Sequence, residues 1–191
     1  MDVLKSIEGR RSIRKYKQIP VEREKLTAIV GAARFAAQGN NLQPLRYCVV
    51  DDADKVAEIN KGSRWAGSIA PAGNPGPDEM PVAYIVILCD TDLKKNCDVD
   101  AGSAGATMLL AAYALGLGSC WLGSIDRERI AEIINMPCKY DIHTAVALGY
   151  PAESPISEDA SESIKYYKDE AGRLHVPKRK MEEIAFYNGV S

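Results

Sequence analysis

The sequence predicts one domain of the α/β or α+β class that is built on a mixed sheet. Apolar, β-branched runs alternate along the chain with stretches whose apolar residues recur at helical spacing. The chain has 191 residues, of which 46% are hydrophobic and 26% charged, as in soluble globular proteins with a substantial core. Because no repeat, linker or low-complexity tract interrupts it, we expect a single domain over residues 1–191.

The N-terminal half is predicted to alternate helices with strands and loops. Asp2 can cap a first helix that ends near Gly9, with Val3, Leu4 and Ile7 on one face. A strongly basic segment follows this helix. The next predicted elements are a helix at 21–37, a turn-rich loop at 38–46, a strand at 47–51 and a helix at 53–60.

A segment rich in glycine and proline, Gly62 to Pro81, follows these elements. We expect irregular backbone there, at the surface of the domain. Long loops inside a compact domain are more often functional or mobile than idle, so this segment is a candidate for a role in the site.

The C-terminal half continues the alternation. The run at 82–90 is continuously apolar and β-branched, which indicates a central strand. Asp98 or Asp100 is expected to open a long helix through Leu115, and Asp126 to cap the next helix. The remaining predicted elements are a strand at 119–122, that helix at 127–136, a strand at 144–150, a hairpin of 164–167 with 173–176, and a terminal helix around 181–185.

Charge and composition argue against several classes of protein. A net charge of −2 argues against general nucleic-acid binding but leaves room for one cationic pocket. Residues 101–125 carry no charge, yet glycines and hydroxyl side chains dilute their hydrophobicity, so we predict a buried helix and strand instead of a membrane span. With no apolar N-terminal stretch to suggest a signal peptide, we expect a soluble chain.

The cysteines and histidines form no recognisable catalytic or metal-binding pattern. The five cysteines are odd in number and lack Cys-x-x-Cys pairs, which argues against a disulfide framework, a zinc site or a cysteine-ligated cluster. Cys48, Cys89 and Cys120 lie in apolar runs, where a thiol is ordinarily a small hydrophobe, and a reducing cytoplasm is the natural compartment. We interpret His143 and His175 as structural residues and expect no metal site.

Two familiar motifs fail on inspection. The glycines at 116–123 follow a predicted helix and precede a strand, which is the reverse of the order in a dinucleotide-binding loop. No GxSxG elbow is present that could hold a hydrolase nucleophile.

The basic segment after the first helix is the remaining candidate for chemistry. In extended backbone Arg10, Ser12 and Arg14 would point to one side, where their donors would suit a phosphate. Arg11 adds another guanidinium. From this pattern alone an ordinary solvated basic turn remains the alternative. A second cationic group far along the chain comprises Lys178 and Arg179.

Taken together, several segments resemble the FMN-dependent nitroreductase family. RRSIRKY, at 10–16, is similar to its R-x-S-x-R/K signature. AAQGNNLQPLRY resembles its A-P-S-x-x-N-x-Q-P-W loop and matches it at Asn41, Gln43 and Pro44. The stretch at 100–126 looks like the family's central dimer helix and the strand after it. ALGYP and HVPKRKMEEIAFYN complete the pattern, which spans nearly the whole chain in the family's order.

The resemblance implies a mixed, mainly antiparallel sheet flanked by helices, in a homodimer with FMN at its interface. Arg14 would lie near the N1–C2 edge of the flavin, where a cation stabilises the anionic reduced ring. The FMN phosphate and ribityl chain would be held by Arg10, Arg11, Ser12, Lys178 and Arg179.

The flavin ring would be approached from two sides. Gln38, Gly39 and Asn41 would come from the partner subunit. Gly123 and Ser124 would present backbone amides to flavin N5 and O4, and glycine permits this close approach.

The sequence also departs from the family pattern. Gln38 and Gly39 replace the usual serine pair, and Leu45 replaces a tryptophan, which bears on packing and potential more than on FMN binding. The Gly62–Pro81 segment has no close match, and we expect it to shape the substrate entrance. The long helix has small residues that allow close approach by a partner helix, although an intrachain core helix would show the same pattern: Ala101, Gly102, Ala104, Gly105, Ala111 and Ala112.

The expected activity is that of an FMN-dependent oxidoreductase. Hydride would pass from NADH or NADPH through flavin N5 to a nitroaromatic or quinone-like acceptor in a ping-pong cycle. Because the flavin performs the chemistry, we nominate no catalytic acid or base. The alternatives are an FMN-dependent dehydrogenase or dehalogenase of a specialised substrate, a non-enzymatic flavin-binding or storage protein, and a plain protein–protein module.

Overall fold

The computed structural model describes residues 2–65, 69–70 and 73–190, which form six α-helices and eight β-strands. The helices are α1 (Val3–Gly9), α2 (Arg23–Ala33), α3 (Ala53–Lys61), α4 (Asp98–Ala114), α5 (Arg127–Ile133) and α6 (Met181–Ile184). The strands are β1 (Tyr16–Lys17), β2 (Leu45–Val50), β3 (Ala83–Asp90), β4 (Gly118–Leu122), β5 (Tyr140–Pro151), β6 (Ile156–Asp159), β7 (Tyr167–Lys168) and β8 (Leu174–Lys178). The predicted order of helices and strands is therefore confirmed, with β1 and β6 as additions.

The main sheet is antiparallel throughout. Its hydrogen-bonded order is β1-β5-β3-β2, and β4 also pairs with β5, so that the long strand β5 contacts three others. A smaller sheet has the order β6-β8-β7, in which β6 is parallel and β7 antiparallel to β8. The prediction of a mainly antiparallel sheet flanked by helices is confirmed, and the parallel strand pair occurs in the smaller sheet.

Helices cover both faces of the main sheet and create a core on each side. Every residue of β3 is buried, as the continuously apolar run at 82–90 predicts. On one face the sheet packs against α2 and α4, whose buried side chains include Leu26, Ile29 and Met108. On the other face it packs against α3 and α5.

Local signals define the predicted helix starts. An Asp2 carboxylate oxygen accepts a hydrogen bond from the Leu4 N–H at 2.9 Å, and Asp126 does the same for the Arg129 N–H at 3.0 Å. Helix α4 begins at Asp98, as expected, but its N-cap residue is Cys97, which makes no capping bond through its side chain.

Cys89 and Cys97 form a disulfide, so the interpretation of Cys89 as a free apolar thiol is wrong. Cys89 lies near the end of β3 and Cys97 immediately before α4, and the turn between these elements brings their Cα atoms to 6.1 Å. A separation of eight residues across a turn is not visible as a pairing pattern in a chain with five cysteines. Cys48, Cys120 and Cys138 are free thiols.

The uncharged stretch at 101–125 is divided between α4, a turn and β4. Among the described residues, no helix combines the length and apolar character that crossing a membrane requires.

The small residues of α4 serve mainly to pack the helix within its own chain. Ala101, Ala104 and Ala112 are fully buried in the core. A Cβ atom on Gly105 would lie 2.8 Å from the Trp121 ring, so only glycine allows this approach between α4 and β4. A Cβ atom on Gly102, by contrast, would meet no atom within 4 Å. Packing within one chain, the alternative to a partner helix, thus accounts for most of the small residues of α4.

His175 connects the three strands of the smaller sheet. Its Nδ1 lies 2.8 Å from a Glu158 carboxylate oxygen on β6, and its Nε2 lies 3.1 Å from Asp169 just after β7. Its ring stacks on Tyr167 at a centroid distance of 4.8 Å. The hydrogen bonds with Glu158, and then with Asp169, raise the pKa of His175, and burial opposes this effect. The cluster fixes β8, which also carries Lys178.

We expect alanine substitutions at Gly105 and Gly102 to change stability in opposite directions. Gly105→Ala should lower the free energy of unfolding by about 1–2 kcal/mol, because the methyl group overlaps the Trp121 ring. Gly102→Ala, on the same helix, should raise it by about 0.5–1 kcal/mol through helix propensity. Urea unfolding of both variants measures this difference, and equal effects would contradict the packing described for Gly105.

The His175 cluster should make stability depend on pH. The folded-state pKa lies above the ordinary value of 6.5, so the contribution of protonated His175 is complete below about pH 6.5 and is lost as the pH rises through the raised pKa. Urea unfolding from about pH 6 to about pH 9 should therefore show a fall in stability that His175→Gln reduces. If both proteins have the same slope over this interval, the ion pairs do not contribute as described.

Candidate functional site

The basic segment lies in extended backbone against the start of β4. Arg10 ends α1 in an extended conformation, and Ser12 forms an isolated parallel bridge with Ser119. The Ile13 N–H donates a 2.9 Å hydrogen bond to the Ser119 carbonyl. The Ile13 side chain is buried on Gly118, where a Cβ atom would lie 2.8 Å away. The segment is therefore held in place, unlike a solvated basic turn.

A carboxylate fixes the other end of this segment. One oxygen of Glu153, two residues beyond β5, accepts hydrogen bonds from the backbone N–H groups of Arg14 at 2.5 Å and Lys15 at 3.2 Å. Nothing in the sequence indicated Glu153, because its partners lie about 140 residues earlier in the chain. Its role is to position the backbone from which the arginines extend.

Four cations line one cavity of about 120 Å³, which we call the cation cavity. The cavity lies between the basic segment and β8. Arg14 and Tyr166 form part of one wall, where the Arg14 Cζ atom lies over the Tyr166 ring at 5.8 Å from its centroid. The structure therefore brings together five of the residues that the sequence assigned to phosphate and flavin contacts. The lining residues are Arg10, Arg11, Ser12, Arg14, Tyr166, Leu174, Val176 and Lys178.

Two arginines that line this cavity each have a buried donor without an acceptor. Among the described residues, neither Arg10 Nη1 nor Arg11 Nε has a hydrogen-bond partner, although both atoms are buried. The remaining Arg11 donors bond to the carbonyls of Arg10 and Glu8 and to the Ser157 hydroxyl, none of which is charged. Burial, followed by the adjacent Arg10 charge, lowers the pKa of Arg11. An anion bound among these guanidinium groups would compensate their like charges.

Arg179 does not join the residues that line the cation cavity. Its guanidinium is exposed and lies 3.2 Å from a Glu183 carboxylate oxygen in the first turn of α6. Of the second cationic group, only Lys178 faces the cavity.

A second, larger cavity of about 570 Å³ contains Gly123 and Ser124, and we call it the loop cavity. No described residue accepts a hydrogen bond from the backbone N–H groups of these two residues. A Cβ atom on Gly123 would meet no atom within 4 Å, which leaves the backbone open to a ligand. The other lining residues are Lys61, Gly62, Arg64, Ile125, Asp126 and Arg127.

The loop at Gly123–Ser124 is held by two sets of contacts. Arg127 donates to the carbonyls of Gly123 at 3.2 Å and His143 at 2.8 Å, and its Nε bonds the Ile142 carbonyl. The start of the Gly62–Pro81 segment is attached to the same loop, because the Arg64 N–H donates to the Ser124 carbonyl at 3.0 Å. The first residues of this segment therefore line the loop cavity, while residues 66–68, 71 and 72 lie outside the described residues; that the segment shapes the substrate entrance stays a prediction.

Strand β4 connects the two cavities. Ser119 lies beside the basic segment and Gly123 follows the end of the strand, so four residues, or about 13 Å of extended chain, separate the two places. An elongated ligand that carries a phosphate at one end could contact both.

The Gln38–Asn41 loop lies away from the cation cavity of its own chain. The Gly39 N–H donates a 2.8 Å hydrogen bond to Asp100 in the first turn of α4. Lys94 lies 2.5 Å from the other Asp100 oxygen, and this hydrogen bond lowers the pKa of the buried carboxyl group. Tyr113, which lines a groove together with Arg10, lies 13 residues further along α4, or about 20 Å. One chain therefore does not bring the loop to the cation cavity.

Neither histidine adopts a catalytic arrangement with a thiol. His143 Nε2 lies 3.0 Å from an Asp98 carboxylate oxygen, and its Nδ1 lies 3.2 Å from the Thr144 hydroxyl. Within the part of the chain that the structure describes, no group of three or more potential ligands is arranged to hold a metal ion.

Comparisons with known proteins agree with this geometry. The model of the nitroreductase family matches residues 7–150. A provisionally named NADH dehydrogenase/NAD(P)H nitroreductase of Methanothermobacter thermautotrophicus is 33% identical over 166 residues, which cover 83% of this chain and 82% of the relative. An FMN reductase [NAD(P)H] of Bacillus subtilis is 27% identical over 175 residues, which cover 80% of this chain and 67% of that protein.

A solved structure extends the similarity to nearly the full length of both chains. It is the structure of a provisionally named nitroreductase from Desulfovibrio desulfuricans in complex with FMN. That protein is 27% identical to this chain, and the TM-score between the two structures is 0.70. The match covers 100% of this chain and 99% of that protein. The match of the family model, the identity to the archaeal relative and the shared fold lead to one conclusion. The chain belongs to the nitroreductase family.

Proposed function

We propose that the chain is an FMN-dependent oxidoreductase that takes hydride from NADH or NADPH and passes it to nitroaromatic or quinone-like acceptors in a ping-pong cycle. The observation that carries this proposal is the cation cavity, which four cations line. Two of them, Arg10 and Arg11, also each keep one buried donor that has no acceptor among the described residues. The relatives named as FMN reductase and the neighbour that binds FMN support the choice of this phosphate-bearing cofactor.

The residues of the cation cavity fit the phosphate end of FMN. Arg10 and Arg11 would donate to its oxygens, with Ser12 and Lys178 completing the site. Arg179 would reach the phosphate only by exchanging its Glu183 partner for it. Glu153 keeps the backbone of Arg14 in place without occupying the cavity itself.

The residues at the other end of β4 would orient the ring. The amides of Gly123 and Ser124, which have no acceptor within the described part of the chain, are available for hydrogen bonds to ring atoms, and Arg127 holds their loop. Arg14 would lie at the edge of the ring, where its charge favours the reduced, anionic form. When bound, FMN supplies the two-electron chemistry at its N5 atom, so no side chain of the protein needs to act as nucleophile.

We further propose that the site is completed in a homodimer. The apolar face of α1 is exposed in the single chain, where Val3 is 68%, Leu4 67% and Ile7 50% accessible. Residues on the Gln38–Asn41 loop would reach the flavin only from a partner chain, because the cation cavity of the same chain lies at the opposite end of α4 from this loop.

The remaining proposals concern extent and location. Residues 1–191 would form a single FMN-binding domain, and the protein would act in the cytoplasm.

The visible absorption spectrum of the purified protein tests the activity. We expect a flavin spectrum that bleaches on anaerobic addition of NADH or NADPH and returns when a nitroaromatic or a quinone is added. A bound flavin that neither nucleotide bleaches would contradict the reductase and favour a storage role. A colourless protein that also fails to take up added FMN would contradict the cofactor assignment.

Loss of one guanidinium should weaken binding of the phosphate in particular. Arg10→Gln is expected to lower the affinity for FMN by about 10- to 100-fold, because a charge-assisted hydrogen bond is lost. Its affinity for riboflavin, which lacks the phosphate, should change little. Quenching of flavin fluorescence measures both constants.

A matched control keeps this comparison specific to the cavity. Arg23→Gln removes a guanidinium that is exposed, paired with Asp51 and absent from the lining of the cavity, and should leave both affinities unchanged. Equal losses for FMN and riboflavin in Arg10→Gln would mean that Arg10 does not bind the phosphate.

A further inference from the structure

We propose that Arg64 and Arg127 form an oxyanion subsite in the loop cavity, which binds a carboxylate or phosphate of the molecule that reacts over the flavin. This inference rests on the proposed function, because it assigns a substrate class to the same site. It concerns a different place from the cation cavity, since the two arginines lie at the far end of β4 from Ser12.

The cavity has an excess of positive charge. Three of its lining side chains are cationic, namely Lys61, Arg64 and Arg127, and Asp126 is the one acidic residue of the described lining. One Asp126 oxygen accepts the Arg129 N–H at the start of α5, and its single negative charge faces three cations.

Two of these cations lack a counterion. Lys61 is paired with Glu58 at 2.5 Å, and Arg129, which lies outside the cavity, is paired with the same carboxylate. In contrast, no carboxylate among the described residues lies within salt-bridge distance of Arg64 or Arg127. Arg64 makes no side-chain hydrogen bond to the described part of the chain, so its whole guanidinium is available to a ligand.

Both arginines are attached to the loop that would face the flavin. The Arg64 backbone bonds to the Ser124 carbonyl, and the adjacent Ser63 forms an antiparallel bridge with Ile125. Arg127 is oriented by three backbone carbonyls, which accept from its Nε and Nη2 atoms and leave the Nη1 donors and the charge available. The side chain of Arg127 is thus held in place before an oxyanion binds, whereas only the backbone of Arg64 is fixed and binding would order its side chain.

The chemistry of the subsite favours an oxyanion over other groups. A guanidinium offers paired donors that match the two oxygens of a carboxylate or a phosphate. A neutral acceptor would occupy the same cavity without this interaction. In a ping-pong cycle both reactants use the site in turn, so the oxyanion can belong to the acceptor or to the pyrophosphate of the nicotinamide nucleotide.

Paired substrates that differ in charge test the inference on the FMN-loaded enzyme. The acceptors are 4-nitrobenzoate and its neutral methyl ester; the donors are NADH and the phosphate-free 1-benzyl-1,4-dihydronicotinamide. The variants are Arg64→Gln, which removes the charge, Arg64→Lys, which retains it, and Arg129→Gln as a control on the adjacent helix whose partner is Glu58. Steady-state kinetics gives KM and kcat for each combination at low ionic strength.

We expect Arg64→Gln to raise KM about three- to ten-fold for the anionic substrate of at least one pair. KM for the neutral substrate of that pair, and kcat for both, should be nearly unchanged. Arg64→Lys should restore most of the loss, and added salt should reduce the difference between the charged and neutral substrates. An effect on 4-nitrobenzoate assigns the oxyanion to the acceptor, and an effect on NADH assigns it to the donor.

Two results would overturn the inference. One is an unchanged KM for both anionic substrates in Arg64→Gln; the other is an equal change for the charged and neutral members of both pairs. Failure of the proposed function itself would look different, because the wild-type protein would then show no flavin reduction by either donor.

Discussion

The contact between Ile13 and Gly118 is the constraint on which the candidate site depends. The Ile13 side chain occupies the space that a Cβ atom on residue 118 would fill, and its N–H bonds the next carbonyl of the same strand. This contact forces the basic segment into extended backbone along β4. Alternation of side chains then turns Arg10 and Arg14 toward the same side. Without it, the cations would repel one another in solvent and would not line a cavity.

The protein keeps these like charges together by using backbone contacts rather than counterions. Glu153 accepts two amide hydrogen bonds, and Arg11 donates to carbonyl and hydroxyl groups instead of to a carboxylate. The cluster therefore retains its positive potential while its geometry is fixed. Such an arrangement costs folding free energy when empty and recovers it when an anion binds, which is typical of a binding site rather than of a structural ion-pair network.

The sequence revealed the features that depend on near neighbours and missed those that depend on the fold. The caps at Asp2 and Asp126 were predictable because each carboxylate bonds an amide two or three residues away. The family signature located most of the cation cavity. The Cys89–Cys97 bond was missed because it follows from how a turn returns the chain. Glu153 was missed because its partners are distant in the sequence, and no local pattern marks such a residue.

The position of the Gln38–Asn41 loop has a thermodynamic consequence. Its attachment to Asp100 places it at the opposite end of α4 from the groove that Tyr113 lines with Arg10. In the proposed dimer, each flavin therefore belongs to two chains at once, and association and cofactor binding are linked equilibria. Dilution that separates the chains would lower the affinity for the cofactor, and loss of the cofactor would loosen the dimer by the same free energy. The holoenzyme is in this sense an assembly of four components, two chains and two cofactors, whose stability is shared among them.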